Sequence, residues 1–176
     1  MKKIFTAISL GLVITGVSAQ AQKSNGYVEI GGIYARYQET GGWFTSAVGN
    51  AKVGVNINDN ISLEAIVGTS LYDTNFYVGT TLVSARIDSL FGGYVKGKVP
   101  ISPTADIFGR FGIAQGQVSA SSTYGSGWAS GTGLSYGGGL QFKLDNSSYV
   151  AIDYMSFYNK SGTSATGLGL NYGFNF

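Results

Sequence analysis

The sequence predicts an all-β protein, an eight-stranded antiparallel up-and-down transmembrane β-barrel that follows a cleaved signal peptide. Three observations lead to this fold class: an export signal at the amino terminus, eight stretches in which apolar and polar residues alternate, and midstrand charges that fall on the polar side of those stretches. Successive side chains of a strand point to opposite faces, so each stretch has one apolar and one polar face. A membrane barrel turns the apolar face to lipid and the polar face to its interior.

The first 21 residues have the three parts of a secretory signal. Residues 1–3 are Met-Lys-Lys, residues 4–17 are apolar and uncharged, and residues 18–21 are Ser-Ala-Gln-Ala, with small side chains at the spacing that a signal peptidase accepts. The apolar run is shorter than the ~20 residues that a transmembrane helix needs. We therefore predict a signal peptide over residues 1–21 and a barrel domain over residues 22–176, with cleavage after Ala19 or Ala21 fitting equally well.

The first four predicted strands cover residues 27–37, 47–57, 61–71 and 82–98. The apolar residues that alternate with small or polar ones are Val28, Ile30 and Tyr34 in the first, Val53, Val55 and Ile57 in the second, Ile61, Leu63 and Val67 in the third, and Ile87, Phe91 and Val95 in the fourth. Three apolar residues, Ile66, Leu90 and Tyr94, break the pattern because they fall on the polar face.

The last four predicted strands cover residues 106–117, 132–144, 149–157 and 165–176. Their apolar face carries Ile107, Phe111 and Ile113, then Leu134, Tyr136, Leu140 and Phe142, then Val150, Ile152 and Tyr154, and finally Leu168, Leu170, Tyr172, Phe174 and Phe176. The final strand is the clearest of the eight, since Gly169, Asn171, Gly173 and Asn175 occupy every position in between.

Short and long connections alternate between these strands. Residues 58–60, 99–104 and 145–148 form the short ones, and residues 38–45, 72–78, 119–130 and 158–164 form the long ones, of which 119–130 is the longest. Bacterial outer-membrane barrels have short periplasmic turns and longer extracellular loops. The pattern therefore predicts that both termini lie on the periplasmic side.

Seven charges in the middle of the strands lie on the face opposite the apolar one: Glu29, Lys52, Glu64, Arg86, Asp88, Arg110 and Asp153. A soluble barrel would expose these charges to water, whereas a membrane barrel must hide them from lipid, where an Arg or Lys near the midplane costs ~2–4 kcal/mol. Four acids and three bases nearly balance, so we predict an interior charge network that plugs the barrel, with Glu64, Arg86, Asp88 and Arg110 meeting on neighbouring strands. The alternative is that the charges lie at different heights, each solvated by trapped water.

The chain resembles the small eight-stranded outer-membrane proteins of the OmpX/Ail, OmpA transmembrane domain and opacity-protein class. The resemblance rests on the signal sequence, on alternating segments such as Ser89-Leu90-Phe91-Gly92-Gly93-Tyr94, and on the ending Tyr172-Gly173-Phe174-Asn175-Phe176. It implies a location in the outer membrane of a Gram-negative bacterium and an assembly signal in Tyr172, Phe174 and Phe176 that the barrel-assembly machinery reads. Because nothing follows Phe176, a wall-binding domain like that of full OmpA is not expected.

The composition argues against an enzyme. Outer-membrane palmitoyl transferases, deacylases and omptin proteases resemble this chain in size or architecture and use a histidine, and this sequence contains neither histidine nor cysteine. The Gly-rich segments 125–127 and 137–139 lack the Lys-Ser/Thr and the helix of a phosphate-binding loop. We therefore expect no catalytic residue, no metal site and no cofactor.

Two functions remain open from the sequence. The first is a structural or surface-interaction protein whose loops carry aromatic residues: Trp43, Phe44, Tyr72, Phe76, Tyr77, Tyr124 and Trp128. Its partners would be outer-membrane lipid and lipopolysaccharide and host or neighbouring surfaces, with no nucleic acid, since the formal charge of +2 falls to about zero when Lys2 and Lys3 are removed. The second is a narrow porin-like conduit for small solutes. We favour the first, because eight strands usually leave a lumen filled by side chains.

Overall fold

The computed structural model describes residues 25–39, 42–160 and 162–176, and the predicted signal peptide lies outside them. The described chain forms nine strands: β1 (Gly26–Glu39), β2 (Gly42–Asn56), β3 (Ile61–Ser70), β4 (Thr74–Val78), β5 (Thr81–Ser102), β6 (Ala105–Ser122), β7 (Gly125–Lys143), β8 (Ser148–Lys160) and β9 (Thr163–Asn175). In the described part of the chain, no helix is long and apolar enough to cross a membrane.

Eight of these strands close into a ring. Sequential neighbours pair antiparallel, β9 pairs with β1, and β3 reaches past β4 to pair with β5. The short strand β4 pairs with the upper part of β5 from Thr74↔Ala85 to Val78↔Thr81, so it prolongs the third strand of the ring. The predicted eight-stranded antiparallel up-and-down barrel is therefore confirmed.

The apolar face of each strand points outward. Large exposed side chains include Ile30 on β1, Val55 on β2, Phe91 on β5, Phe111 on β6 and Leu170 on β9. The charged and small residues between them face the lumen, where an eight-stranded barrel has room only for side chains. The three residues that break the alternation, Ile66, Leu90 and Tyr94, are buried in the lumen, so they are part of its filling.

The connections at the end with the two termini are short, as predicted, whereas the long loops predicted at the other end are largely strand. The longest predicted loop, residues 119–130, is wrong: β6 continues to Ser122 and β7 begins at Gly125. Strands β5, β6 and β7 contain 22, 18 and 19 residues, about twice the 9–11 that cross a bilayer. Beyond the bilayer both faces meet water, so the strand continues without apolar alternation, and its Ser- and Gly-rich sequence resembles a loop.

A side chain stabilises the turn between β7 and β8. The Asp145 carboxylate accepts hydrogen bonds from the backbone N–H groups of Ser147 (2.7 Å) and Ser148 (2.8 Å) and from the Ser148 hydroxyl. These donors, the Ser148 hydroxyl first, hold the pKa of Asp145 below its usual range. The turn is thereby stabilised in the ionised form of the carboxyl and weakens as the pH falls through that lowered pKa.

Candidate functional site

Six charged side chains meet in the half of the lumen nearest the termini. This charge cluster consists of Glu29, Glu64, Asp153, Lys52, Lys96 and Arg110, and each is at most 5% exposed. Three acids and three bases balance within it. Each stands on the inward face of a different strand, at the height where the ring of strands brings the six side chains together.

Arg110 is the centre of the charge cluster because its guanidinium contacts all three carboxylates. Its Nη1 lies 2.6 Å from Asp153 Oδ2, its Nη2 lies 3.1 Å from both carboxylate oxygens of Glu29, and its Nε donates to Glu64. A planar guanidinium with five donors suits such a three-way contact, which an ammonium could not reproduce with the same geometry.

The two lysines complete the pairing of the same carboxylates. Lys52 Nζ lies 3.0 Å from Glu29 Oε2 and 3.2 Å from Asp153 Oδ2. Lys96 Nζ lies 3.3 Å from Glu29 Oε1 and 3.5 Å from Glu64 Oε1. Each acid thus has at least two basic neighbours, an arrangement that makes buried charges tolerable.

An aromatic layer, Tyr27, Phe108 and Tyr149, covers the charge cluster on the side of the termini. The Tyr149 hydroxyl donates to Glu29 Oε1 over 2.9 Å and the Tyr27 hydroxyl donates to Glu64. Lys96 Nζ lies 4.6 Å from the centre of the Phe108 ring, a cation–π distance. The tyrosine rings lie against glycines, since a methyl group at Gly54 would overlap Tyr27 and one at Gly173 would overlap Tyr149.

An apolar layer covers the charge cluster on its other side. It consists of Ile33, Val48, Ile66, Leu90, Tyr94, Met155 and Phe157, all buried. The space between this layer and the charge cluster measures about 10 Å³, which is about the volume needed for a single water molecule. The lumen is therefore filled by three successive layers, aromatic, charged and apolar.

The structure brings together five of the seven predicted network residues: Glu29, Lys52, Glu64, Arg110 and Asp153. It does not bring Arg86 and Asp88 to them. Arg86 is about half exposed near the far end of the barrel, with its Nη1 3.4 Å from Asp73 Oδ1 and its Nε 3.3 Å from Asp88 Oδ1. The prediction that Arg86 and Asp88 contact Glu64 and Arg110 is therefore wrong.

Lys96 occupies the position that the sequence interpretation assigned to Arg86. Lys96 faces the lumen ten residues further along β5, which at about 3.3 Å per residue is roughly 33 Å along the strand. The β5–β6 register shifts between Ile87 and Ser89, and Ala85 and Ile87 both face the lumen, so Arg86 between them faces outward. The sequence prediction that Ile87 faces outward and Arg86 inward is therefore wrong. The signal that could have identified Lys96 is its position two residues after Tyr94, inside the membrane-spanning part of β5.

The lumen opens beyond the apolar layer, at the end opposite the termini, called the distal end below. A cavity of about 210 Å³ there is lined by Ile33, Val48, Leu90, Ala114 and Phe157 among others. A wider mouth of about 440 Å³ follows. In its wall the ring of Phe44 stacks on that of Phe76, with centroids 6.3 Å apart, and Tyr37 packs on Phe44 at 5.4 Å.

Sequence comparison identifies the family to which this chain belongs. Residues 5–176 match the model of the outer membrane protein beta-barrel domain, nearly the whole chain. This chain belongs to that family. It is accordingly an outer-membrane protein of a Gram-negative bacterium. No curated protein sequence matches it.

Solved structures show the same fold at low sequence identity. Ail, the attachment invasion locus protein of Yersinia pestis, is 18% identical, with a TM-score of 0.67 over 88% of this chain and 100% of Ail. Neisserial surface protein A is 12% identical, with a TM-score of 0.70 over 87% of this chain and 98% of that protein. The N-terminal barrel domain of OprF from Pseudomonas aeruginosa is 19% identical, with a TM-score of 0.63 over 88% of this chain and 100% of the domain.

The predicted assembly signal lies on the outer face of β9. Tyr172 and Phe174 are exposed toward lipid, and the backbone of Phe176 pairs with Gly26, through Phe176 N–H to Gly26 C=O at 3.0 Å and the reverse bond at 3.2 Å. Because the Phe176 ring is exposed, its contribution to packing within the barrel is small. A role of Tyr172, Phe174 and Phe176 in assembly stays a prediction.

Phe176→Asp is expected to lower the amount of folded barrel in cells while protein refolded in detergent keeps its folded gel mobility. The substitution leaves the backbone bonds to Gly26 in place and removes only the terminal aromatic side chain. The matched control is Phe142→Asp, another exposed aromatic near the same end of the barrel. If both variants lose folded protein equally in cells and in detergent, Phe176 is a packing residue and no assembly signal.

Proposed function

We propose that this protein is a non-enzymatic, closed outer-membrane barrel that acts through surface contacts of its distal hairpins, which face the cell exterior. The observation that supports a closed barrel is the small space of about 10 Å³ between the charge cluster and the apolar layer. A solute crossing the lumen would have to separate Arg110 from its carboxylates, and breaking a buried ion pair costs about 3–5 kcal/mol. This argues against the conduit alternative.

The distal hairpins support a surface role. They extend beyond the apolar belt and carry exposed aromatic side chains: Trp43, Tyr72, Tyr77, Tyr124 and Trp128. Those near the belt have the ordinary role of interfacial anchors in lipid and lipopolysaccharide. Tyr124, in the turn between β6 and β7, is 87% exposed, and aromatic residues in such positions are common anchors of protein interfaces. Four of the seven aromatic residues predicted for the loops line the mouth: Trp43, Phe44, Phe76 and Trp128. Of these four, Trp43 and Trp128 are also largely exposed.

Charge helps to define the partner. A structure of Ail contains the heparin analogue sucrose octasulfate, a polyanion. The distal hairpins of this chain carry three bases, Arg36, Arg86 and Lys160, and three acids, Glu39, Asp73 and Asp88, and two of those acids contact Arg86. Because these charges balance, we propose that the partner is an uncharged surface of a host or neighbouring cell. During biogenesis, the barrel-assembly machinery is a further proposed partner.

The purified barrel is expected to show no steady conductance in planar bilayers. The reason is the layered filling of the lumen, in which no path avoids the charge cluster. Folding of the inserted sample is verified by its faster migration in unboiled gels. Large, steady, solute-permeable currents would refute closure and restore the conduit function.

The surface role is tested on cells that produce the barrel. Tyr124→Ser combined with Trp128→Ser should reduce autoaggregation and adhesion to epithelial monolayers, with Ser122→Ala combined with Ser126→Ala as the control in the same hairpin. The amount of each variant at the cell surface is measured by protease digestion of intact cells, and cells with equal amounts are compared. Unchanged adhesion of the aromatic variant would contradict a role for this hairpin.

A further inference from the structure

The distal cavity of about 210 Å³ is a blind apolar chamber. Its walls include Ile33, Val48, Leu90 and Phe157, and the apolar layer separates it from the charge cluster. A cavity of about 150 Å³ lined by comparable side chains stays dry and binds benzene. The volume and lining of this chamber therefore suit a small apolar group.

The barrel wall beside the distal cavity is incomplete. Strand β7 pairs with β6 along its full length, from Ser122↔Gly125 to Ala105↔Phe142. Its ladder with β8 stops at Tyr136↔Ser156. Among the described residues, residues 125–135 of β7 have no ladder partner on the β8 side. A side-chain hydrogen bond is made at the lower end of this gap, where the Ser135 hydroxyl donates to Ser156 C=O at 2.9 Å.

A side chain fills the place of the missing ladder. The β8–β9 register shifts between Ser156 and Tyr158, and this bulge turns both Phe157 and Tyr158 toward the distal cavity. The Tyr158 ring lies against two glycines of β7, because a Cβ at Gly131 or Gly133 would be 3.1 or 2.9 Å from it. A ring that rotates about its side-chain bonds thus lies where the lower parts of β7 and β8 are joined by a backbone ladder.

The gap borders the lipid-facing belt. Its lower end is flanked by Leu134 and Tyr136 on β7 and by Tyr154 on β8, all exposed on the outer face. The apolar surface that contacts lipid is thus continuous with the apolar lining of the distal cavity through the place that Tyr158 occupies. A molecule dissolved in the bilayer could pass from one to the other without crossing water.

We propose that the distal cavity binds a single alkyl chain of an uncharged amphiphile, and that the chain enters from the membrane between β7 and β8 past Tyr158. Arg36 and Glu39 both line the cavity, so its rim carries one base and one acid and offers no net charge to an ionic head group. The Arg36 guanidinium also lies over the Trp43 ring, 4.7 Å from its centre. The Ser130 and Thr163 hydroxyls at the rim suit an uncharged head.

The binding site is tested with an octanol that carries a diazirine at the end of its chain, added to the barrel in phospholipid nanodiscs. After irradiation, mass spectrometry should find labels on the cavity residues Leu90, Ala114 and Phe157 as well as on lipid-facing Leu134. Gly116→Leu should abolish the cavity labels, because a Cβ at Gly116 has room, with its nearest neighbour, Ser89 O, 3.9 Å away, and the side chain enters the cavity.

The control for Gly116→Leu is Gly93→Leu, the same change on the lipid face, where a Cβ meets nothing within 4 Å. It should leave both sets of labels unchanged. Octanoate at neutral pH should compete less well than octanol for the cavity labels. Absence of cavity labels in the unaltered barrel, their persistence in Gly116→Leu, or equal competition by octanoate would overturn the proposal.

The route is tested by the rate of cavity labelling with the probe already dissolved in the bilayer. Tyr158→Ala, which widens the gap between β7 and β8, should accelerate it. Phe76→Ala, which widens the mouth, should leave it unchanged. Acceleration by Phe76→Ala alone, or equal acceleration by both, would show that the chain enters through the mouth and would refute the lateral route.

Discussion

Arg110→Met is expected to lower the free energy of unfolding by about 3–5 kcal/mol, because it leaves buried carboxylates without their shared partner. After this change three acids, Glu29, Glu64 and Asp153, face two lysines at the same height of the lumen. The barrel interior offers no bulk water to solvate the surplus charge. The measurement is urea unfolding of the barrel in lipid vesicles, followed by the gel mobility difference between folded and unfolded protein.

The matched control is Arg86→Met, the same substitution at an arginine that is 42% exposed and pairs with Asp73 and Asp88 near the distal end. Exposed ion pairs contribute about 0–1 kcal/mol, so this variant should unfold close to the unaltered barrel. A compensating double variant, Arg110→Met with Glu64→Gln, restores two acids and two bases and should be more stable than Arg110→Met alone. Equal costs at Arg110 and Arg86, or no recovery in the double variant, would contradict the charge cluster as described.

Gly112→Ala is expected to destabilise the barrel by about 1–3 kcal/mol or more, through overpacking that the surrounding backbone cannot relieve. A methyl group at Gly112 would overlap the Gly93 carbonyl oxygen and lie 2.8 Å from Tyr94 Cα. The obstacle is the backbone of β5, to which Gly112 is paired opposite Tyr94. The same urea titration measures the effect.

Gly93→Ala is the control for this glycine, because it lies on the facing strand with its Cβ direction open toward lipid. It should leave the midpoint of unfolding nearly unchanged. A similar loss of stability in both variants would mean that the cost arises from the strand propensity or the unfolded chain. It would then not arise from the close approach of β5 and β6 inside the barrel.

The lesson for prediction is clearest in β5. Alternation placed Phe91 and Val95 outward and the polar partners inward, and the structure agrees because a period of two is a local property of extended backbone. The same alternation placed Arg86 on the inward face together with Lys96, whereas the register shift between Ile87 and Ser89 turns Ile87 into the lumen and Arg86 out of it. Which of them meets Glu29 depends on the register of β5 against β3 and β6, which arises from contacts between distant segments.

The sequence by itself determined the strand pattern, the outward apolar face and the presence of charges inside, because each follows from neighbours along the chain. Only the tertiary structure decided that strands continue through the predicted loop at 119–130, that Ile66, Leu90 and Tyr94 form an apolar layer, and that the ladder between β7 and β8 ends at Tyr136. The physical reason is closure of the ring, which sets the height and partner of every inward side chain at once and leaves no trace in the order of residues within one strand.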